Sequence, residues 1–292
     1  MTPEPVPSLV EPEWLEPHLG EPDLRVVDCT VHLSFDPETG AMQSESGRPD
    51  WEAGHILGSV FADVQADLSA ADSASPFQRP TPERFAEAME ALGIGDDSRV
   101  VLYDSGGNNW AARVWWLLRA FGFDNAGILN GGWGRWIAEG RPVSTALPTD
   151  REVTFTPDPR PTLFVEKEAV LGAIDDDECC LINTLEPEDH AGTGLVKYGR
   201  PGRIPGSVNV PATGEEAFVD PADNTYLPQP ALRERFAEVG ATESERVITY
   251  CGAGITASNA AFALHLLGVE DVAVYDGSLA EWGRTDLPME TD

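Results

Sequence analysis

The chain has 292 residues, 41% of them hydrophobic, which is enough for two domains that each bury a core. Its 50 acidic residues outnumber its 19 basic residues and give a formal net charge of −31, which disfavours nucleic acids and anionic membranes as partners. No apolar run approaches the roughly 18 residues of a membrane-spanning helix, so we expect no membrane partner.

The N-terminal segment, residues 1–19, is rich in proline and acidic residues. It lacks the apolar core of a secretion signal, so we interpret it as an extension and predict a cytoplasmic protein. The chain has four cysteines, with neither a C-x-x-C pair nor the Cys/His spacing of a zinc site. This pattern indicates free thiols in a reducing compartment and predicts no metal site.

Strand-like and helix-like apolar segments then alternate along the first half. The strand-like segments are residues 24–29, 98–104 and 126–132, and the helix-like segments are residues 83–93 and 110–122. Such alternation predicts an α/β fold with a mainly parallel sheet flanked by helices. We predict a linker over residues 141–164, because residues 141–162 contain five prolines and little helical periodicity.

The second half repeats the motifs of the first half in the same order. The matching pairs are "RVVLYD" at 99–104 with "RVITYC" at 246–251, "GHILGSV" at 54–60 with "GRIPGSV" at 202–208, and "LNGGWGRW" at 129–136 with "YDGSLAEW" at 275–282. An offset near 150 residues indicates a tandem duplication rather than a solenoid, since each copy is long enough to be a domain. We therefore predict two domains, residues 20–140 and 165–287.

Cys251 lies where a predicted strand, residues 246–250, turns into a predicted helix. Gly252 and Gly254 allow the tight turn between the two. The thiol then lies at a helix N-terminus, where the dipole and the free N–H groups favour a nucleophilic thiolate. The equivalent position in the first half is Asp104, so only the second domain is predicted to be catalytic.

Two common cysteine chemistries fit this sequence poorly. A cysteine protease needs a histidine base, and none of the five histidines lies in a motif that indicates a catalytic base. A C-x5-R phosphatase needs an arginine six positions after the cysteine, where this chain has Ala257. Proteolysis and phosphate cleavage are therefore disfavoured.

The motifs together resemble the two-domain rhodanese family of sulfurtransferases. The resemblance rests on the tandem copies, on "YCGAGIT" at 250–256 and on "YDGSLAEWG" at 275–283, and it covers nearly the whole chain after the extension. It implies two tandem rhodanese-like α/β domains, of which the first is non-catalytic. It also implies that Cys251 takes a sulfane sulfur from thiosulfate or 3-mercaptopyruvate and passes it to a thiophile such as cyanide or a thiol. No metal or organic cofactor is implied.

The loop after the cysteine is expected to hold the persulfide that forms in this reaction. The backbone N–H groups of Gly252, Ala253, Gly254, Ile255 and Thr256 would form a cradle for its negative charge. The hydroxyl of Thr256 would add one more donor.

The sequence departs from the family where the sulfur donor is anchored. It has Asn183-Thr184-Leu185 where the family often has Asp-Ala-Arg, so Arg200 and Arg203 are the candidates to replace that arginine. Because the loop "CGAGIT" has no basic residue, we expect a preference for mercaptopyruvate, whose single carboxylate one arginine can hold, over the dianion thiosulfate. Leu185 and Ala253 also keep open an alternative, a persulfide carrier that docks a partner and turns over poorly by itself.

Lysine occurs at only two positions, Lys167 and Lys197. One interpretation of the acidic composition is an ordinary protein kept in solution by its charge. The other is a halophilic protein, whose self-repulsion is screened within a few ångströms at high salt. We favour the second interpretation because the depletion of lysine is so complete.

Overall fold

A computed structural model describes residues 4–71, 73, 75–214 and 216–292 of the chain. Helices and strands alternate along both halves. The elements of the first half are β1 (Leu9–Val10), α1 (Pro12–His18), β2 (Leu24–Asp28), β3 (Val31–Phe35), β4 (Met42–Ser46), α2 (Arg48–Ala53), β5 (His55–Ile56), β6 (Val60–Phe61), α3 (Pro82–Ala91), β7 (Arg99–Tyr103), α4 (Asn109–Ala120), β8 (Ala126–Leu129), α5 (Gly132–Ala138) and β9 (Val143–Ser144). A 3₁₀ turn at Pro161–Leu163 precedes the elements of the second half, which are β10 (Phe164–Val165), α6 (Lys167–Ala173), β11 (Cys179–Asn183), α7 (Pro187–Ala191), β12 (Val208–Asn209), α8 (Gln229–Ala237), β13 (Arg246–Tyr250), α9 (Ile255–Leu266), β14 (Val272–Tyr275) and α10 (Ser278–Trp282).

Each half contains a five-stranded sheet in which every pair of neighbouring strands is parallel. The strand order is β1-β8-β7-β2-β6 in the first sheet and β10-β14-β13-β11-β12 in the second. The first half adds two antiparallel pairs, β3 with β4 and β5 with β9. In the second half a single antiparallel bridge between Arg203 and Glu290 corresponds to the β5–β9 pair, and the β3–β4 hairpin has no equivalent strand pair among the described residues. With those pairs set aside, the two halves have the same topology, which confirms the predicted fold class.

The central strands have the composition that a doubly covered parallel sheet requires. Strands β2 and β7 are buried at every residue, and β13 is buried from Val247 to Tyr250. A strand that is buried on both faces must be apolar on both, which explains continuous runs such as Val100-Val101-Leu102. The carboxyl ends of these strands therefore lie at one edge of each sheet, where the loops carry the polar residues.

The two halves share one continuous hydrophobic core. Helices α4 and α9 pack against each other across the boundary, with the rings of Trp115 and Phe262 edge to face and their centroids 4.8 Å apart. Each of these helices follows the loop that begins with Asp104 in the first half or with Cys251 in the second. This packing brings the two loops to the same interface.

The segments outside the predicted domains also join the sheets. Strand β1 lies in the predicted N-terminal extension and pairs with β8, and β9 lies in the predicted linker and pairs with β5. The domain limits stay a prediction, but both flanking segments contribute strands. No described helix is long and apolar enough to cross a membrane.

Candidate active site

Two glycines allow the loop between β13 and α9 to present Cys251. Gly254, the residue before α9, has a φ of +79°, in the left-handed region that favours glycine. A Cβ atom on Gly254 would also lie 3.1 Å from the carbonyl oxygen of Asp276. Gly252 has no room for a side chain, because the ring of Tyr198 occupies that space. The glycines at 252 and 254 are thus required for different reasons, close approach and backbone conformation.

The loop leaves several backbone donors free beside the thiol. The N–H groups of residues 252–256 have no hydrogen-bond partner among the described residues. The N–H group of Cys251 itself is used, since it donates to Ser278 Oγ at 3.1 Å. Free N–H groups at the start of a helix attract a negative charge. The loop can therefore stabilise a negative charge on the sulfur of Cys251.

The first half shows what such a loop does when it holds an anion. The carboxylate of Asp104 accepts backbone N–H groups at 2.7–3.1 Å from four residues, namely Gly106, Asn108, Trp110 and Ala111. Burial raises the pKa of Asp104, and these four hydrogen bonds oppose that rise. The same loop position thus carries a fixed carboxylate in the first half and a thiol with free donors in the second.

Cys251 lines a cavity of about 490 Å³ between the two halves. The second half contributes the predicted loop residues Gly252, Ala253, Ile255 and Thr256 to its wall, but not Gly254. The first half contributes residues of the β3–β4 hairpin and of the Asp104 loop, namely Val31, His32, Leu33, Phe35, Met42, Ser105, Gly106, Asn109 and Trp110. The first half therefore forms one wall of the site.

Thr256 meets a second threonine in this cavity. Its Oγ1 lies 2.7 Å from Oγ1 of Thr184, and both residues line the cavity. The sequence predicted a donor role for Thr256 but missed this partner, because Thr184 comes from β11's loop, about seventy residues earlier in the chain. The pair fixes the rotamer of Thr256 at the start of α9.

Arg200 and Arg203 lie outside the cavity. Arg200 donates to the carbonyl oxygens of Trp282, Gly283 and Leu287, and Arg203 pairs with Glu290 and Asp292. The C-terminal tail thus occupies both guanidinium groups. This placement differs from the expectation that one of them holds the sulfur donor, because the tail's position could not be inferred from the motif that contains the arginines.

The cation that does line the cavity is Lys197. It is the only lysine or arginine among the described lining residues, and its Nζ lies 2.7 Å from the carboxylate of Asp189. The Nζ also lies 5.1 Å from the centre of the Phe35 ring. The sequence contained one indication that this residue matters: Lys197 is one of only two lysines in a chain with a net charge of −31.

A buried ion pair ties the turn after β14 to the first half. Arg113 of α4 is fully buried, and its Nη2 lies 2.6 Å from the carboxylate of Asp276, which follows β14. The same turn contains Ser278, which accepts the N–H of Cys251. The position of Cys251 therefore depends on a residue of the first half.

These features define a two-domain α/β protein with one thiol site at the interface between its halves. The model of the rhodanese-like domain matches the chain twice, at residues 11–139 and 167–285. The chain therefore belongs to the rhodanese family, in its two-domain sulfurtransferase form.

Named relatives agree with this assignment. The chain is 32% identical to the mitochondrial thiosulfate/3-mercaptopyruvate sulfurtransferase 1 of Arabidopsis thaliana, over 99% of this chain and 79% of the relative. It is 31% identical to the 3-mercaptopyruvate sulfurtransferase of Escherichia coli K12 (95% and 96% covered) and 31% identical to the thiosulfate sulfurtransferase of Rattus norvegicus (97% and 94% covered). The crystal structure of SseA, a 3-mercaptopyruvate sulfotransferase from Escherichia coli, matches with a TM-score of 0.80 and 29% identity, over 94% of this chain and 99% of that one.

Proposed function

We propose that the protein transfers a sulfane sulfur from thiosulfate or 3-mercaptopyruvate to a thiophilic acceptor through a persulfide on Cys251. The observation that carries this proposal is the contrast between the two loops. In one the backbone N–H groups bind the carboxylate of Asp104, and in the other they lie free beside a thiol that lines a cavity. An enzyme with this site forms many equivalents of product per Cys251, whereas a persulfide carrier forms about one.

The reaction follows from the geometry of the loop. The thiolate of Cys251 attacks the sulfane sulfur, a new S–S bond forms, and sulfite or the enolate of pyruvate leaves with the electron pair of the broken bond. The persulfide anion lies on the free N–H groups of residues 252–256, which need no reorganisation as charge develops. A nucleophilic acceptor then attacks the outer sulfur and restores the thiolate.

Lys197 is the residue that we assign to anchor the donor. Its ammonium group lines the cavity that Cys251 lines, and its partner Asp189 leaves two of its N–H groups for an anion. Lys197→Met should raise KM for both donors about tenfold or more, since an ionic hydrogen bond contributes about 1.5–3 kcal/mol. Steady-state kinetics measures this, and Lys167→Met is the matched control, because Lys167 pairs with Glu281 away from the cavity. Equal KM values in Lys197→Met and wild type would contradict the assignment.

Mercaptopyruvate should be the better donor. The loop has no basic side chain, and the charge of Lys197 is partly neutralised by Asp189, so a dianion is matched less well than a monoanion. We expect a higher kcat/KM for mercaptopyruvate than for thiosulfate when both are measured in the same KCl concentration. Ala253→Arg should narrow the gap, since residue 253 lines the cavity. A clear preference of the wild type for thiosulfate would refute this prediction.

We also propose that the protein works in a reducing, saline cytoplasm. All four cysteines are free, and the net charge of −31 repels itself at low salt. The melting temperature should climb between about 0.1 M and 2 M KCl, because the Debye length falls from about 10 Å to below about 3 Å. Circular dichroism measures it, with sucrose as a control for solute exclusion. A melting temperature that does not change with KCl would identify an ordinary acidic protein.

A further inference from the structure

Tyr198 packs against the catalytic loop inside the cavity. Its side chain is 8% exposed, its ring fills the space beside Gly252, and it meets the ring of Phe35 edge to face at 5.9 Å. Tyr198 and Cys251 line the same cavity. Burial raises the pKa of Tyr198, and the negative charge of Cys251 raises it further. The phenol therefore stays protonated and can only donate its proton or accept a hydrogen bond.

The hydroxyl of Tyr198 differs from that of every other tyrosine in the chain. It has no hydrogen-bond partner among the described residues. The other four tyrosines each have one, namely Tyr103 with Ser59, Tyr226 with Asn259, Tyr250 with Ser207 and Tyr275 with Glu281. The Tyr198 hydroxyl is not among the described solvent-excluded polar atoms that lack a partner, so it is open to the cavity although the ring is buried. A ligand in the cavity can therefore take it as a hydrogen-bond donor.

Several other side-chain donors of this cavity are already engaged. Lys197 pairs with Asp189 and its remaining N–H groups are assigned to the donor's carboxylate, His32 pairs with Asp50, and the hydroxyls of Thr184 and Thr256 meet each other. Ser105 Oγ and Trp110 Nε1, which line the cavity from the first half, also have no partner among the described residues. Tyr198 is distinguished from them because its hydroxyl lies against Gly252 of the loop that follows Cys251.

The two sulfur donors differ in their need for such a group. When thiosulfate is the donor, the leaving group is sulfite. The charge of sulfite is spread over its oxygens, and sulfite takes up no proton at the moment of transfer. Mercaptopyruvate breaks a carbon–sulfur bond, and the electron pair moves onto its carbonyl oxygen as an enolate. The proton of the mercaptopyruvate thiol ends on the methyl carbon of pyruvate, so the step is balanced without an added reactant. Only this enolate needs a donor at a carbonyl oxygen.

We infer that Tyr198 is a catalytic residue for mercaptopyruvate, whose O–H binds the carbonyl oxygen of the donor and stabilises the enolate that leaves. This inference rests on the proposed function, because it assigns a role in the transfer to Cys251. It makes the donor preference of the enzyme depend on one phenolic hydroxyl.

The test is the ratio of the two donor activities in Tyr198→Phe. Removal of one such donor should lower kcat for mercaptopyruvate by about 10²-fold. The ratio of kcat for mercaptopyruvate to kcat for thiosulfate should therefore fall at least tenfold relative to wild type. Tyr103→Phe is the matched control, since it removes a buried hydroxyl that bonds Ser59 in the first half and should leave the ratio unchanged.

Each outcome of this experiment decides the question. Equal losses with both donors, or no loss with either, would overturn the inference, because a structural role does not distinguish the donors. Inorganic polysulfide, which also transfers sulfur without forming an enolate, replaces thiosulfate if the wild type uses thiosulfate poorly. If no donor places sulfur on Cys251 of the wild type, the proposed function itself is wrong, which is a different result from equal losses in the variant.

Discussion

Cys251→Ser is expected to abolish turnover with every sulfur donor. A serine hydroxyl in the same loop is not ionised at neutral pH and cannot form a persulfide. Cys251 is the one cysteine among the described residues that line the cavity, so no other lining residue can take over its role. Steady-state assays with thiosulfate and with mercaptopyruvate measure the loss. Intact-mass spectrometry of the donor-treated wild type should show the added mass of one sulfur atom, located on Cys251.

The other three cysteines are the controls for this result. Burial raises the pKa of Cys29 well above its usual range, raises that of Cys180 to about 11 and also raises that of Cys179. Their thiolates are therefore scarce at neutral pH, and serine at any of the three should alter stability but not turnover. Persulfide on one of them, together with activity in Cys251→Ser, would refute the mechanism.

Asp276→Ala is expected to cause the largest loss of stability among single substitutions at ion pairs. The change leaves the guanidinium of Arg113 fully buried without a counter-charge, and such a loss costs about 3–5 kcal/mol of the free energy of unfolding. Urea denaturation measures it. Because the same turn holds the N–H of Cys251 through Ser278, turnover by the folded fraction should also fall.

An exposed ion pair provides the matched control. Glu11 lies 2.6 Å from Arg135 at the surface, and Glu11→Ala should cost no more than about 1 kcal/mol. A further variant tests the physical reason. Arg113→Met combined with Asp276→Asn removes both charges and should recover a large part of the stability. Equal, small losses in Asp276→Ala and Glu11→Ala would show that the buried pair does not hold the halves together.

The fold followed from patterns that are local in the chain. Continuous apolar runs such as residues 99–103 and 246–250 predict strands that are buried on both faces, and the alternation with helices predicts a parallel sheet. The strand-turn-helix context of Cys251 was likewise readable, because it depends on a few adjacent residues. The β3–β4 hairpin at 31–46 was missed, since no tight-turn signal such as Asn-Gly marks it.

The contents of the cavity were beyond the reach of these patterns. Lys197 and Tyr198 lie more than fifty residues before Cys251, in a stretch without regular structure, so nothing local pointed to them. Arg200 and Arg203 follow directly, yet the C-terminal tail occupies both. The fold of the loop that contains these four residues decides which of their side chains line the cavity.

The sequence alone determined a tandem α/β fold, because each strand and helix is marked by a pattern of adjacent residues. It also predicted Cys251 as the nucleophile, because the strand-turn-helix context of the cysteine is local, and the resemblance of its motifs to the rhodanese family implied a sulfurtransferase. Only the tertiary structure decided that the first half forms a wall of the site, through the hairpin residues and the Asp104 loop, and that Arg113 of the first half pairs with Asp276 of the second. Contacts between residues that are 150 or more positions apart depend on how α4 packs on α9. That packing is the sum of many small apolar contacts, and no single motif encodes it.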